Sequence, residues 1–102
     1  GPVKAETPLP DAFNLQQNYP NPFNPITTIR YELPRPVRVR INIYNILGQQ
    51  VKTLVDQEMR AGYHSILWNA ESDAGMQVAS GIYYFRMTAG NYSKVRKMVV
   101  LK

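Results

Sequence analysis

The chain has 102 residues, 44% of them hydrophobic, and no cysteine. That is enough for one domain burying roughly two thirds of the surface its unfolded chain exposes, and it excludes a disulfide framework, a thiolate metal site and a cysteine nucleophile. Twelve basic against seven acidic residues give a formal net charge of +5, which permits weak attraction to anionic surfaces, whereas a nucleic-acid binder concentrates such charge on one patch. No apolar run approaches the roughly 20 residues that span a bilayer, and the N-terminus lacks the pattern of a signal peptide, so a soluble chain without membrane insertion is expected.

Gly1-Pro2 reads as the scar of a tag-removing protease, and the chain therefore as a fragment of something longer. Residues 1–11, with three prolines and little that packs, read as tag remnant and linker, which leaves 12–102 as the folded domain. Phe13-Asn14-Leu15 offers a short first strand. In Gln17-Asn18-Tyr19-Pro20-Asn21-Pro22-Phe23-Asn24-Pro25, three Tyr-Pro or Asn-Pro steps hold the backbone extended and remove amide donors, so this stretch is neither helix nor central strand.

From Ile26 onward the apolar residues alternate with period two, the signal of strands. In Thr27 to Leu33, Ile29, Tyr31 and Leu33 point one way and Thr28, Arg30 and Glu32 the other. Val37, Val39, Ile41 and Ile43 repeat the pattern, with Arg38, Arg40 and Asn42 outward. If these two strands pair as a hairpin about Pro34-Arg35-Pro36, Glu32 lies near Arg38 and Arg30 near Arg40. Asn45-Ile46-Leu47-Gly48 reads as a turn, Val51 to Glu58 as a less regular strand, and Tyr63 to Ala70 as another. Glu71 to Gly75 is a polar loop. Ile82 to Met87, opened by Gly81, is apolar on both faces and so central to a sheet. Ala89-Gly90-Asn91 is a tight hairpin turn, and Tyr92 to Leu101 returns beside it. Six or seven short strands without a helix predict an all-β, antiparallel sandwich of about seven strands.

Nothing assembles into a catalytic set or a cofactor site. The single histidine, His64, lies on a strand between residues that face the other side of the sheet, and reads as an ordinary partly buried histidine rather than a base or ligand. Glu71 and Asp73, or Asn21, Asn24 and Asp73, are candidate calcium ligands, but no acidic loop of calcium-binding spacing is present. Gly75 and Gly81 do not lead into a helix and so form no phosphate loop. Arg30, Arg38 and Arg40 with Tyr44 raise the possibility of nucleic-acid binding, against the commoner role of outward basic residues in keeping sheets soluble. Trp68 with Tyr63, Tyr83 and Tyr84 offers a carbohydrate platform, against burial of the tryptophan between two sheets.

Phe13 to Pro25, then Thr27-Thr28-Ile29, Tyr44-Asn45-Ile46-Leu47-Gly48, Ala61-Gly62-Tyr63-His64, Trp68, Ser80-Gly81-Ile82-Tyr83-Tyr84 and the closing strand from Lys97-Met98 resemble, in the same order, the type A C-terminal sorting domain of the type IX (Por) secretion system. The middle of the chain alone equally resembles the immunoglobulin-like domain of the flagellar hook-capping protein. The resemblance implies an immunoglobulin-like fold and a noncatalytic, cofactor-free module at the C-terminus of a larger exported cargo, in a Gram-negative bacterium of the Bacteroidota or their relatives. It implies transit through the periplasm and recognition at the outer-membrane translocon. It also implies a sortase-like surface peptidase that removes the domain, leaving the cargo at the cell surface or outside. The matching motif pieces are Gly81, Ile82, Tyr83 and Tyr84, the Gly90 turn, and Lys97, Met98, Val99, Val100, Leu101 and Lys102. A terminal strand with an unpaired edge would offer backbone groups for strand addition by a receptor, with Lys97 and Lys102 supplying charge. The alternative is a carbohydrate-binding or adhesive module retained on an extracellular enzyme.

Overall fold

Alternating apolar and polar residues become two antiparallel sheets in the computed structural model, which describes residues 8–102. One sheet contains β1 (Asn14–Leu15), β2 (Thr27–Leu33) and β5 (Gly62–Trp68), in the order β1-β2-β5. The other contains β3 (Val37–Tyr44), β4 (Gln50–Met59), β6 (Gly81–Ala89) and β7 (Tyr92–Val100), in the order β4-β3-β6-β7. No helix occurs among the described residues. This is the predicted seven-strand sandwich.

The inward faces are those the alternation selected. Ile29, Tyr31 and Leu33 of β2 and Val39, Ile41 and Ile43 of β3 are buried, and between the sheets they meet Leu15, Trp68, Phe85, Met87, Met98 and Val100. Burial of each such side chain contributes roughly 1.5–3 kcal/mol, so this layer holds the sheets together. β6 is interior to its sheet, as its two-sided apolar sequence requires.

The β2–β3 hairpin does not form. β2 pairs with β5, placing Glu32 opposite Tyr63 and Arg30 opposite Ser65, while β3 pairs with β4 and β6. Prolines at 34 and 36 end the ladder, and the chain uses them to cross from one sheet to the other. Arg38 and Arg40 consequently face Glu58 and Asp56 across β3–β4.

Two turns behave as predicted. Gly48 has φ +79° in the β3–β4 turn, where the Asn45 side chain accepts hydrogen bonds from the Leu47 and Gln49 amides. Gly90 has φ +58° at the first position of the two-residue β6–β7 loop, the place where a type II′ turn takes glycine. The irregularity of β4 has a cause: the β3–β4 register shifts between Ile41 and Asn42 and again between Ile43 and Tyr44. Gly1-Pro2 and most of the predicted linker lie outside the described residues, but Pro10, assigned to that linker, is buried.

Candidate functional site

β6 and β7 bring most of the predicted recognition residues together. Gly81, Ile82, Tyr83 and Tyr84 lie opposite Val100, Val99, Met98 and Lys97 respectively, so two motifs remote in sequence form one ribbon. Its two faces differ. Tyr83, Met98 and Val100 point inward and are buried, and the Tyr83 hydroxyl donates to the Ala79 carbonyl at 2.8 Å. Burial pushes the Tyr83 phenol above its ordinary value. Ile82, Tyr84, Lys97 and Val99 occupy the outer face, and Leu101 and Lys102 extend beyond the strand, exposed. Gly90 is not part of this cluster. It lies at the other end of the hairpin, about 30 Å away at strand rise, beside Arg35 and Val37.

The proline-rich lead-in fastens onto this ribbon. The Phe23 amide donates to the Val99 carbonyl at 3.1 Å, and the Leu101 amide donates to the Phe23 carbonyl at 3.0 Å. Asn21 Oδ1 accepts from the Val99 amide at 2.9 Å, and Gln17 Nε2 donates to the Lys97 carbonyl at 2.6 Å. The Phe23 ring is buried, 5.8 Å from Trp68. Within the lead-in, Asn18 Nδ2 donates to the Pro20 carbonyl and to Thr27 Oγ1, and the Thr27 hydroxyl donates to the same carbonyl at 2.8 Å. Farther along, Arg96 Nε donates to the Leu15 carbonyl at 2.7 Å and Phe13 stacks on Tyr92.

The expectation of an unpaired terminal edge is therefore corrected. From Lys97 to Leu101 the outer edge of β7 is covered by Gln17, Asn21 and Phe23, because a strand edge left bare invites adventitious pairing. Reading by sequence missed Phe23 as the anchor of this arm, although it is the one large, wholly apolar side chain between Gln17 and Pro25.

The same logic accounts for the candidate calcium ligands. Asp73 Oδ1 accepts from the Thr53 amide at 3.1 Å, and the Asp73 amide donates to the Val51 carbonyl, so Asp73 caps the opposite edge of that sheet. Asn21 caps β7, Asn24 is exposed, and the Glu71 carboxylate lies 3.5 Å from the Gln77 amide nitrogen. No cluster of metal-binding side chains occurs among the described residues.

The other constellations are dispersed. His64 stacks on Tyr31 at 5.3 Å with Nε2 2.8 Å from the Arg60 carbonyl oxygen. The supposed carbohydrate platform splits three ways: Trp68 and Tyr83 are in the core, Tyr63 faces out from one sheet and Tyr84 from the other. Trp68 satisfies its Nε1–H on the Glu71 carbonyl at 2.9 Å. The basic face also divides, since Arg30 belongs to β2 and only Arg38 and Arg40 share a face with Tyr44. Both arginines converge on Asp56, at 2.9 and 3.2 Å. The hydrogen bond from Arg40, with that from Arg38 and both positive charges, holds the Asp56 carboxyl below its ordinary value.

With this geometry in view, the model of the FlgD Ig-like domain family matches residues 25–93. No curated protein matches the chain. Among solved structures, dimeric latent PorU from Porphyromonas gingivalis superposes with a TM-score of 0.71 at 20% identity, over 95% of this chain and 10% of that one. PorZ of Porphyromonas gingivalis, described as an essential bacterial surface component of the type-IX secretion system, superposes with a TM-score of 0.58 at 22% identity, over 90% of this chain and 12% of its own. What is shared at such identities is the fold, and the chain spans about a tenth of the length of either neighbour.

Proposed function

This chain belongs to the FlgD Ig-like domain family, and on that premise we propose that it serves as a noncatalytic C-terminal sorting domain. It directs a covalently attached N-terminal cargo through the outer-membrane translocon of a type IX secretion system, and a sortase-like surface peptidase then removes it. Cargo so labelled passes through the periplasm of a Gram-negative bacterium of the Bacteroidota or their relatives to the cell surface or exterior.

The observation that carries this reading is the closure of the Asn-Pro lead-in on the C-terminal ribbon through Phe23, Asn21 and Gln17. The two ends of the chain that bear the sorting-domain motifs make one folded feature, which is what a receptor reading a folded address requires. Two further facts support it. The fold is shared with PorU and with PorZ, the latter described as a type-IX secretion component. The polar side chains considered for chemistry are engaged in holding the fold: His64 on Arg60, and Asp73 on β4.

The test is a reporter fused ahead of the full chain and expressed in a host with type IX machinery. The expected result is reporter at the surface or in the medium, and its retention in the periplasm overturns the proposal. Lys97→Glu and Tyr84→Ser change only the outer face of the ribbon, and are expected to lower export while leaving the circular dichroism and melting temperature of the isolated domain close to those of the parent.

A further inference from the structure

The net charge of this chain is not spread over it. Of twelve basic and seven acidic residues, five basic and no acidic ones fall in 81–102, namely Arg86, Lys94, Arg96, Lys97 and Lys102, leaving seven of each sign in 1–80. All of the +5 thus sits on β6, β7 and the tail. The acids of the same sheet, Asp56 and Glu58, lie on β4 at its opposite edge. Arg96 is engaged with the Leu15 carbonyl and Arg86 lies over the Tyr44 ring. None of Arg86, Lys94 and Lys97 has a carboxylate partner among the described residues.

The backbone of β7 is open next to this charge. Its contacts with the lead-in, through the Lys97 carbonyl, both backbone groups of Val99 and the Leu101 amide, show that the odd-numbered residues face away from β6. Ser93 and Val95 therefore turn their N–H and C=O groups outward, and no described residue takes them. On the outer face beside Val95 lies a groove of about 290 Å³, lined by Tyr44, Tyr84, Arg86 and residues of the β3–β4 turn.

We propose that β7 from Ser93 to Lys97 is a docking edge for an extended acidic segment of a partner protein, which joins the sheet as a fifth strand. Its backbone pairs with Ser93 and Val95, its carboxylates face Lys97 and Arg86 on the outer face and Lys94 on the inner one, and an apolar side chain rests against Val95 and the tyrosines. Charge selects this occupant. A second copy of β7 would set lysines against lysines, which destabilises a cross-strand pair, so the edge that attracts an acidic strand also resists self-association. The inference deepens the proposed function by naming the chemistry that the ribbon recognises, and rests on that reading only for where the partner resides.

The experiment titrates the isotopically labelled full chain with a short synthetic peptide of glutamates about one central valine, and with its lysine counterpart. Saturable binding is expected, with the Ser93 and Val95 amides gaining protection from hydrogen exchange and the lysine peptide binding at least roughly tenfold more weakly. Val95→Pro deletes one outward donor at an edge position that tolerates proline, and is expected to weaken binding by roughly tenfold or more, as is the charge-reversed pair Lys94→Glu with Lys97→Glu. If Val95→Pro fails to fold, the charge-reversed pair decides.

The proposal is overturned if those amides stay unprotected at saturation or if both peptides bind alike. It is also overturned if duplex DNA competes fully without the proline variant mattering, which would make the face a general polyanion surface. Export failing while the acidic peptide binds counts against the sorting role alone, and export succeeding while the peptide does not bind counts against this edge alone.

Discussion

Asn18 is 2% exposed, and its amide accepts from Gln17 while donating to the Pro20 carbonyl and to Thr27 Oγ1. A buried amide with all these partners sets the path of the chain between two prolines that cannot themselves donate. Asn18→Ala leaves buried groups without those partners, and is expected to cost about 1–3 kcal/mol, read as a lower urea midpoint. Exposed Asn24 in the same run is the control, and Asn24→Ala is expected to stay within about 0.5 kcal/mol. Asp56 tells a different story, since it is exposed and its value is lowered by Arg40 and Arg38. A carboxyl lowered in the folded state contributes stability that is present above its unfolded value, 3.8, and is lost as pH falls through the lower folded value. Melting temperatures measured across the acid range should thus fall less steeply for Asp56→Asn than for the parent, with a small difference because the pair is open to solvent.

Among the elements, the Asn-Pro lead-in is the one whose role depends on residues far along the chain. Its hold on β7 is two backbone hydrogen bonds at Phe23, the Asn21 and Gln17 side chains, and a buried ring. Truncating a buried phenylalanine typically costs about 3–5 kcal/mol. Phe23→Ala is therefore expected to release the arm before it unfolds the sandwich: the Val99 and Leu101 amides should exchange much faster, while interior β3 amides such as Ile41 stay protected. Equal acceleration everywhere would mean that the arm is no separate unit. The arm also shows what the sequence discloses and what it withholds. Thr27 to Leu33 was legible to the residue, with its buried face, because alternation reports which side of a strand meets the core. It does not report which strand lies alongside, so by alternation alone Pro34 and Pro36 read as a hairpin loop, whereas they carry the chain between sheets. The same limit groups Arg30, Arg38 and Arg40 on one face. The ribbon of Gly81–Tyr84 and Lys97–Val100 was legible because a tight turn at Gly90 fixes its register. Phe23 and Asp73 do not read as edge covers because Val99 and Thr53, their partners, are chosen only once the sheets have formed.

For the whole molecule, the question is whether export reads a folded object or a linear tail, and simple truncation cannot answer it. Removing Lys97 to Lys102 deletes Met98 and Val100 from the core and takes away the partners of Phe23. Each such side chain is worth roughly 2–5 kcal/mol when cut back, against a total stability of about 5–15 kcal/mol for a domain, so the truncated chain is expected to be unfolded whatever its tail does. A decisive variant unfolds the domain and leaves the tail untouched. Leu33 is buried at the end of β2, next to the crossover whose Arg35 and Val37 flank Gly90 and hence at the end of the sandwich away from Lys102. Leu33→Asp places a carboxylate in the core at a cost of several kcal/mol, on the order of the whole stability. If the translocon recognises the folded sandwich, the reporter carrying Leu33→Asp accumulates in the periplasm although every residue from Gly81 to Lys102 is intact, and Leu33→Met, which keeps the volume, exports normally. Fractionating periplasm, surface and medium measures this directly. Undiminished export of the Leu33→Asp reporter, with circular dichroism showing the domain unfolded, would show that the terminal residues act as a linear signal and that the clasp between Phe23 and Val99 serves stability alone.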